Sequence, residues 1–119
     1  MKIISPRAHG VLDYLVVILF LAAPGLFGFI GVSATVAYLL AAAHLLLTLA
    51  TNFPLGVVKL IPLPVHGVVE ISVAVVLLLL PWLAGFAGVP AERNFYLVMG
   101  VLIGATWLLT DYAGDEAPE

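Results

Sequence analysis

Polar residues occur in only a few places along this chain, and the stretches between them set the elements. Residues 14–58 run for 45 positions without Asp, Glu, Lys or Arg, residues 71–91 for 21 and residues 94–110 for 17. The runs are continuous rather than alternating at period two, so a β-barrel is not expected. A helix satisfies its own backbone groups in lipid, and a span takes about 20 residues. The first run therefore holds two helices and the others one each. The predicted helices cover about 8–23, 33–52, 65–80 and 94–112. Pro24 and the glycines at 25, 28 and 31 break or kink the first near its end. Ser33 is read as the N-cap of the second. Pro54, Gly56, Pro62 and Pro64 make residues 53–65 a loop, and Pro81 with Trp82 places an aromatic ring at the far interface. Residues 88–93 lead into the fourth helix.

The pattern occurs twice. A constant shift of 57 (66 − 9) superimposes His9, Gly10, Asp13, Pro24, Gly28 and Phe29 on His66, Gly67, Glu70, Pro81, Gly85 and Phe86. Over residues 2–32 against 59–89 it gives 13 identities in 31 positions without a gap. Several fall at His, Pro, Lys and Phe, which shared hydrophobicity would not match, so an internal duplication is expected. Lys2, Arg7 and the apolar run behind them could imitate a signal peptide. The recurrence of the pattern in mid-chain argues that the first copy is a retained helix. The expected fold is all-α, a single four-helix membrane bundle over residues 1–112. Its repeats cover about 2–52 and 59–112, with a connector at 53–58 and an acidic tail at 113–119. Each repeat holds two helices, so both enter the membrane from one side, related by a pseudo-two-fold axis along the membrane normal. Lys2, Arg7 and Lys59 lie on that side and only Arg93 on the other, which makes both termini cytoplasmic by the positive-inside rule.

Composition agrees with a membrane protein. The chain is 64% hydrophobic and 9% charged, with a mean hydropathy of +1.24, where soluble domains carry about a quarter charged residues. No cysteine is present, which removes disulfides, thiol catalysis and Cys-based metal sites. The net charge of −3 comes largely from Asp111, Asp115, Glu116 and Glu119, and no basic patch supports nucleic-acid binding.

The candidate chemistry lies in the duplicated motif. His9 and Asp13 are four apart, as are His66 and Glu70, so each pair shares a helix face one turn apart. A carboxylate at the membrane edge is costly unless partnered, which marks a functional site. The plainer reading is a charge at a helix start, favoured by the helix dipole or by a snorkelling cation. His44, Thr48 and Asn52 add a polar stripe on the second helix, with Asp13 and Glu70 expected near the depth of Thr48. Thr106 and Thr110 are similarly spaced on the fourth. The five residues His9, Asp13, His44, His66 and Glu70 are the candidate metal ligands, and His9 with His66 the candidate axial ligands of a haem. A lone intramembrane His bonded to a carbonyl is commoner than a ligand, so no cofactor is the default expectation. The far half offers little polar continuation beyond the Tyr38 hydroxyl, which argues against a conducting path. Gly100 and Gly104, and the alanines at 41–43, form small-residue surfaces for close helix packing, inside the bundle first of all. No nucleophile–base set, phosphate loop or dinucleotide fingerprint is present, so an enzyme is not expected.

The block from His9 to Asp13 with Pro24, Leu26, Gly28 and Phe29, and again from His66 to Glu70 with Pro81, Trp82, Leu83, Gly85 and Phe86, resembles the SPW-repeat family of small bacterial membrane proteins. The linking segment 55–62 with Pro64, Val65 and His66 is similar as well. The serine of the family's motif is Ala23 and Leu80 here, and Gly25 stands where the first Trp would be. The resemblance covers about residues 2–111 and implies four membrane helices in two repeats, in a bacterial inner membrane, and no activity. The expected role is a structural or accessory module that self-associates or joins a larger membrane complex. The rival is a binding or transport protein whose His/carboxylate cluster takes a metal, haem or proton. Helix rotation separates them, because Asp13 and Glu70 facing inward favours the rival. The apolar helices give no moment from which to read it.

Overall fold

The computed structural model describes residues 2–112, so the acidic tail at 113–119 lies outside it. Among the described residues the chain forms four helices, α1 (Pro6–Phe27), α2 (Val32–Leu49), α3 (Leu63–Leu83) and α4 (Pro90–Leu109). Two short strands, β1 (Thr51–Asn52) and β2 (Ile61–Pro62), pair in parallel between α2 and α3. The helices α1, α2 and α3 are long and apolar enough to cross a membrane. The first turn of α4 carries Glu92 and Arg93.

The starts follow local chemistry. Ser5 caps α1, its Oγ accepting from the Ala8 amide at 3.2 Å, and Pro6 fills the first position, where no N–H is needed. Pro90 does the same for α4 and Pro64 takes the second position of α3, and α3 and α4 begin two and four residues before the expected 65 and 94. The ends differ from expectation for a related reason. Pro24 and Pro81 stand inside their helices and do not end them. Each proline forfeits one hydrogen bond, yet the residues beyond it still find carbonyls one turn back, and in an apolar setting that keeps the helix going. The chain stops instead at glycines in the left-handed region, Gly28 (φ 71°) and Gly85 (φ 85°). There the amides of Phe29 and Phe86 return to the carbonyls of Pro24 and Pro81 at 3.0 and 2.8 Å, and both phenylalanines are buried.

Ser33 is not the cap of α2. Gly31 turns the chain at φ 68°, the helix starts at Val32, and the Ser33 hydroxyl donates back to the Ile30 carbonyl. Nor does α2 reach Asn52. The Leu49 carbonyl is taken by the Val57 and Val58 amides and the Ala50 carbonyl by those of Leu60 and Ile61, so the connector peels the chain out of the helix. The N-terminal segment does likewise at the end of α4, which stops at Leu109 rather than Tyr112. Ile4 donates to the Leu109 carbonyl and accepts from the Asp111 amide, both at 3.0 Å.

Packing pairs α1 with α2 and α3 with α4. A Cβ on Gly100 would lie 2.8 Å from Leu78 Cδ2, and one on Gly104 3.7 Å from Ala74 Cβ, so the small pair of α4 is used against α3 inside the bundle. The core between the helices is apolar over most of its length, built on Val16, Phe20, Ala41, Leu77, Met99 and Ile103. The Tyr96 hydroxyl crosses it to the Ser33 carbonyl at 2.6 Å. The outer surface is apolar too, with Val11, Ile18, Leu39, Leu46, Val75 and Val101 exposed. Trp82 is exposed at the end opposite the histidines. The starts of α1 and α3 and the ends of α2 and α4 share one end of the bundle, where the polar residues converge.

Candidate metal centre

Helix geometry stacks His9 over Asp13 on α1 and His66 over Glu70 on α3, and the fold turns the two stacks toward each other. All four side chains are buried, His9 and His66 at 0% exposure and the carboxylates at 2%. His9 Nε2 lies 3.1 Å from Asp13 Oδ2 and 3.1 Å from Glu70 Oε2, and His66 Nε2 lies 2.9 Å from each. Two nitrogens and two oxygens thus alternate around a closed ring of four short edges. Asp13 Oδ2 and Glu70 Oε1 are buried without a hydrogen bond, which in a native interior calls for a partner.

His44 joins from α2 at the margin. Its Nε2 is 3.3 Å from Asp13 Oδ1, the carboxylate oxygen outside the ring, and 3.8 Å from Glu70 Oε2. Asp13 and Glu70 are thus both within reach of the His44 side chain. The rest of the polar stripe does not reach the cluster. Thr48 gives its hydroxyl to the His44 carbonyl at 2.7 Å and Asn52 is exposed on β1. Tyr38 is exposed in the far half of α2. The five candidate ligands converge, and the carboxylates face inward.

Outside the ring each histidine is held by residues from the other helix pair. His9 Nδ1 lies 2.8 Å from Thr110 Oγ1 at the end of α4, and His66 Nδ1 lies 2.7 Å from Thr51 Oγ1 at the end of α2. The ring of Tyr112 packs edge-on to His9 with centroids 5.5 Å apart, and that of Phe53 lies 6.0 Å from His66. Room for these aromatics comes from the glycine after each histidine. A Cβ on Gly10 would meet Phe53 at 2.8 Å, and one on Gly67 would meet Tyr112 at 2.9 Å. Burial, with the Glu70 and Asp13 carboxylates near by, pushes the Tyr112 phenol well above its ordinary range, so it stays neutral.

Thr51, Phe53 and Tyr112 were not singled out by the sequence reading, although a signal for them exists. Leu-Ala-Thr-Asn-Phe at 49–53 matches Leu-Leu-Thr-Asp-Tyr at 108–112 with a shift of 59 (110 − 51). That is two more than the shift between the helix starts, so a gapless comparison passes over it. No protein-family model matches the chain, and no curated protein or solved structure is similar to it.

Proposed function

We propose that this protein binds a divalent transition-metal ion inside a membrane-spanning bundle, at the ring formed by His9 Nε2, Asp13 Oδ2, His66 Nε2 and Glu70 Oε2. The ring is the observation that carries the reading. The edges of 2.9–3.1 Å gather four ligand atoms within 4.8 Å of one another, a spacing that one ion with bonds of about 2 Å to imidazole and carboxylate can span. Two carboxylates and a dication sum to zero charge, which removes most of the cost of burying the acids. Mixed nitrogen and oxygen donors suit Zn²⁺, Fe²⁺, Co²⁺ or Mn²⁺ better than Mg²⁺ or Cu⁺. Haem fits poorly, because Asp13 and Glu70 occupy the space between the two imidazoles that a porphyrin plane would need. Conduction fits poorly as well, since the core beyond the ring is apolar.

In this reading all four helices cross a bacterial inner membrane as two tandem repeats about a pseudo-two-fold axis along the membrane normal. The 57-residue shift supports it, as do the shared Pro-to-Phe closure of α1 and α3 and the matched His–Thr and Gly–aromatic contacts. Lys2, Arg7 and Lys59 support a cytoplasmic metal end by the positive-inside rule. Gly100 and Gly104, which could have served a partner helix, are taken up against α3, so metal binding rather than assembly is the reading the geometry favours. Calorimetric titration of the purified full chain with Zn²⁺ tests it. One saturable site is expected in the wild type, with a loss of at least about 100-fold in Asp13→Asn and Glu70→Gln. Equal affinity in both variants would sink the proposal.

A further inference from the structure

The threonines behind the ring histidines fix a proton on one nitrogen of each ring, Nδ1. A hydroxyl has one hydrogen to give. Thr51 Oγ1 donates it to the Leu47 carbonyl at 2.6 Å, and Thr110 Oγ1 donates it to the Thr106 carbonyl at 2.5 Å. Toward the imidazole each oxygen then offers only a lone pair. The contacts of 2.7 Å to His66 Nδ1 and 2.8 Å to His9 Nδ1 are therefore made by an N–H on Nδ1 donating to threonine. We infer that Thr51 and Thr110 are positioning residues that hold His66 and His9 with the proton on Nδ1, so that both Nε2 atoms enter the ring as ligand atoms.

The backbone supports this role. Both threonines stand where a helix has just unwound, and both are fixed in place by strand-like pairing, Thr51 to Ile61 and Thr110 to Ile4. Each threonine follows a helix of the opposite pair from its histidine. The site is complete only when the α1–α2 and α3–α4 pairs are docked on each other. His44 shows the contrast. The hydroxyl nearest to it in sequence, Thr48, bonds the His44 carbonyl and leaves the ring alone. Its Nε2–H donates to Asp13 Oδ1 and leaves Oδ2 for the ring. Two histidines are thus set as ligands and the third as the group that orients a ligating carboxylate. The other tautomer of His9 or His66 would aim an N–H at the ring centre and oppose a cation there.

The inference rests on the metal reading only for what the two lone pairs serve, and the test separates the two. Long-range ¹H–¹⁵N correlation spectra of the histidine-labelled full chain in nanodiscs, with and without Zn²⁺, report the state of each ring nitrogen. The expected result is a protonated Nδ1 on His9 and His66 in both samples, with Zn²⁺ moving only their Nε2 signals. In Thr51→Val the signature of His66 changes while that of His9 stays, Thr110→Val does the reverse, and Zn²⁺ affinity falls about 10- to 100-fold in each. Thr51→Ser and Thr110→Ser restore both readouts. An unprotonated Nδ1 on either histidine in the wild type overturns the inference whether or not the variants fold. Wild-type affinity in both valine variants overturns it too. A wild type that ignores Zn²⁺ but shows both Nδ1–H groups upholds the role of the threonines and removes the metal reading.

Discussion

Gly10→Ala tests whether the site is wedged as tightly as its geometry implies. The new Cβ would lie 2.8 Å from Phe53 Cε2 and 2.8 Å from Leu55 Cδ1. Carbon atoms settle at about 3.5–4.0 Å, so the neighbours must yield by about 0.7–1.2 Å. Phe53 is fully buried and its ring lies against His66, so it retreats only by pressing on a ring ligand. Overpacking of this kind costs about 1–3 kcal/mol, while a helix gains about 1 kcal/mol from Gly→Ala. The clash outweighs the gain over most of that range, and a net loss of up to about 2 kcal/mol is expected. Gly25→Ala is the control, because it lies on the same helix and a Cβ there meets nothing within 4 Å. That variant keeps the helix gain without the clash. Unfolding by SDS titration, followed by helical circular dichroism, measures both. A Gly10→Ala protein as stable as the wild type, or a shift of equal sign in both variants, would refute the wedge.

Three further outcomes are expected. Tyr96→Phe leaves the buried Ser33 carbonyl without its 2.6 Å hydrogen bond and lowers stability by about 1–3 kcal/mol, with Zn²⁺ affinity unchanged because Tyr96 lies away from the ring. The Tyr112 phenol is held above its ordinary range, so above about pH 10 the unfolded chain loses that proton first and stability falls as pH rises. Unfolding midpoints at alkaline pH should show this slope in the wild type and lose it in Tyr112→Phe. Zn²⁺ affinity of the wild type should weaken as pH is lowered from 7 to 5, since protons compete for the ring nitrogens and oxygens. A calorimetric profile that stays flat over that interval would contradict the ligand set.

Much of this architecture is legible in the sequence because lipid allows few alternatives. Long uncharged runs must be helical, and the His/carboxylate spacing of four must stack the pairs. Element boundaries were less legible. Pro24 and Pro81 look like stops, but the helix continues past them in an apolar setting and yields only to Gly28 and Gly85. Ser33 looks like a cap, yet the positive φ of Gly31 starts the helix before it. The rotation of α1 and α3 was hidden because their apolar residues surround them. Asp13 and Glu70 face inward in a packing held by contacts between segments distant in sequence, such as Phe53 of the connector on Gly10, that no local pattern encodes. Thr51 was hidden by the two-residue change of register between the halves, and its role depends on where the connector peels α2 apart.

The measurement that bears most directly on the central claim is native mass spectrometry of the protein extracted gently from its own membranes without chelators. The account predicts one divalent metal ion per chain in the wild type, absent from His9→Ala and His66→Ala and retained when the exposed Asn52 is changed to alanine. A metal-free wild type, or an ion that persists in both histidine variants, would contradict it.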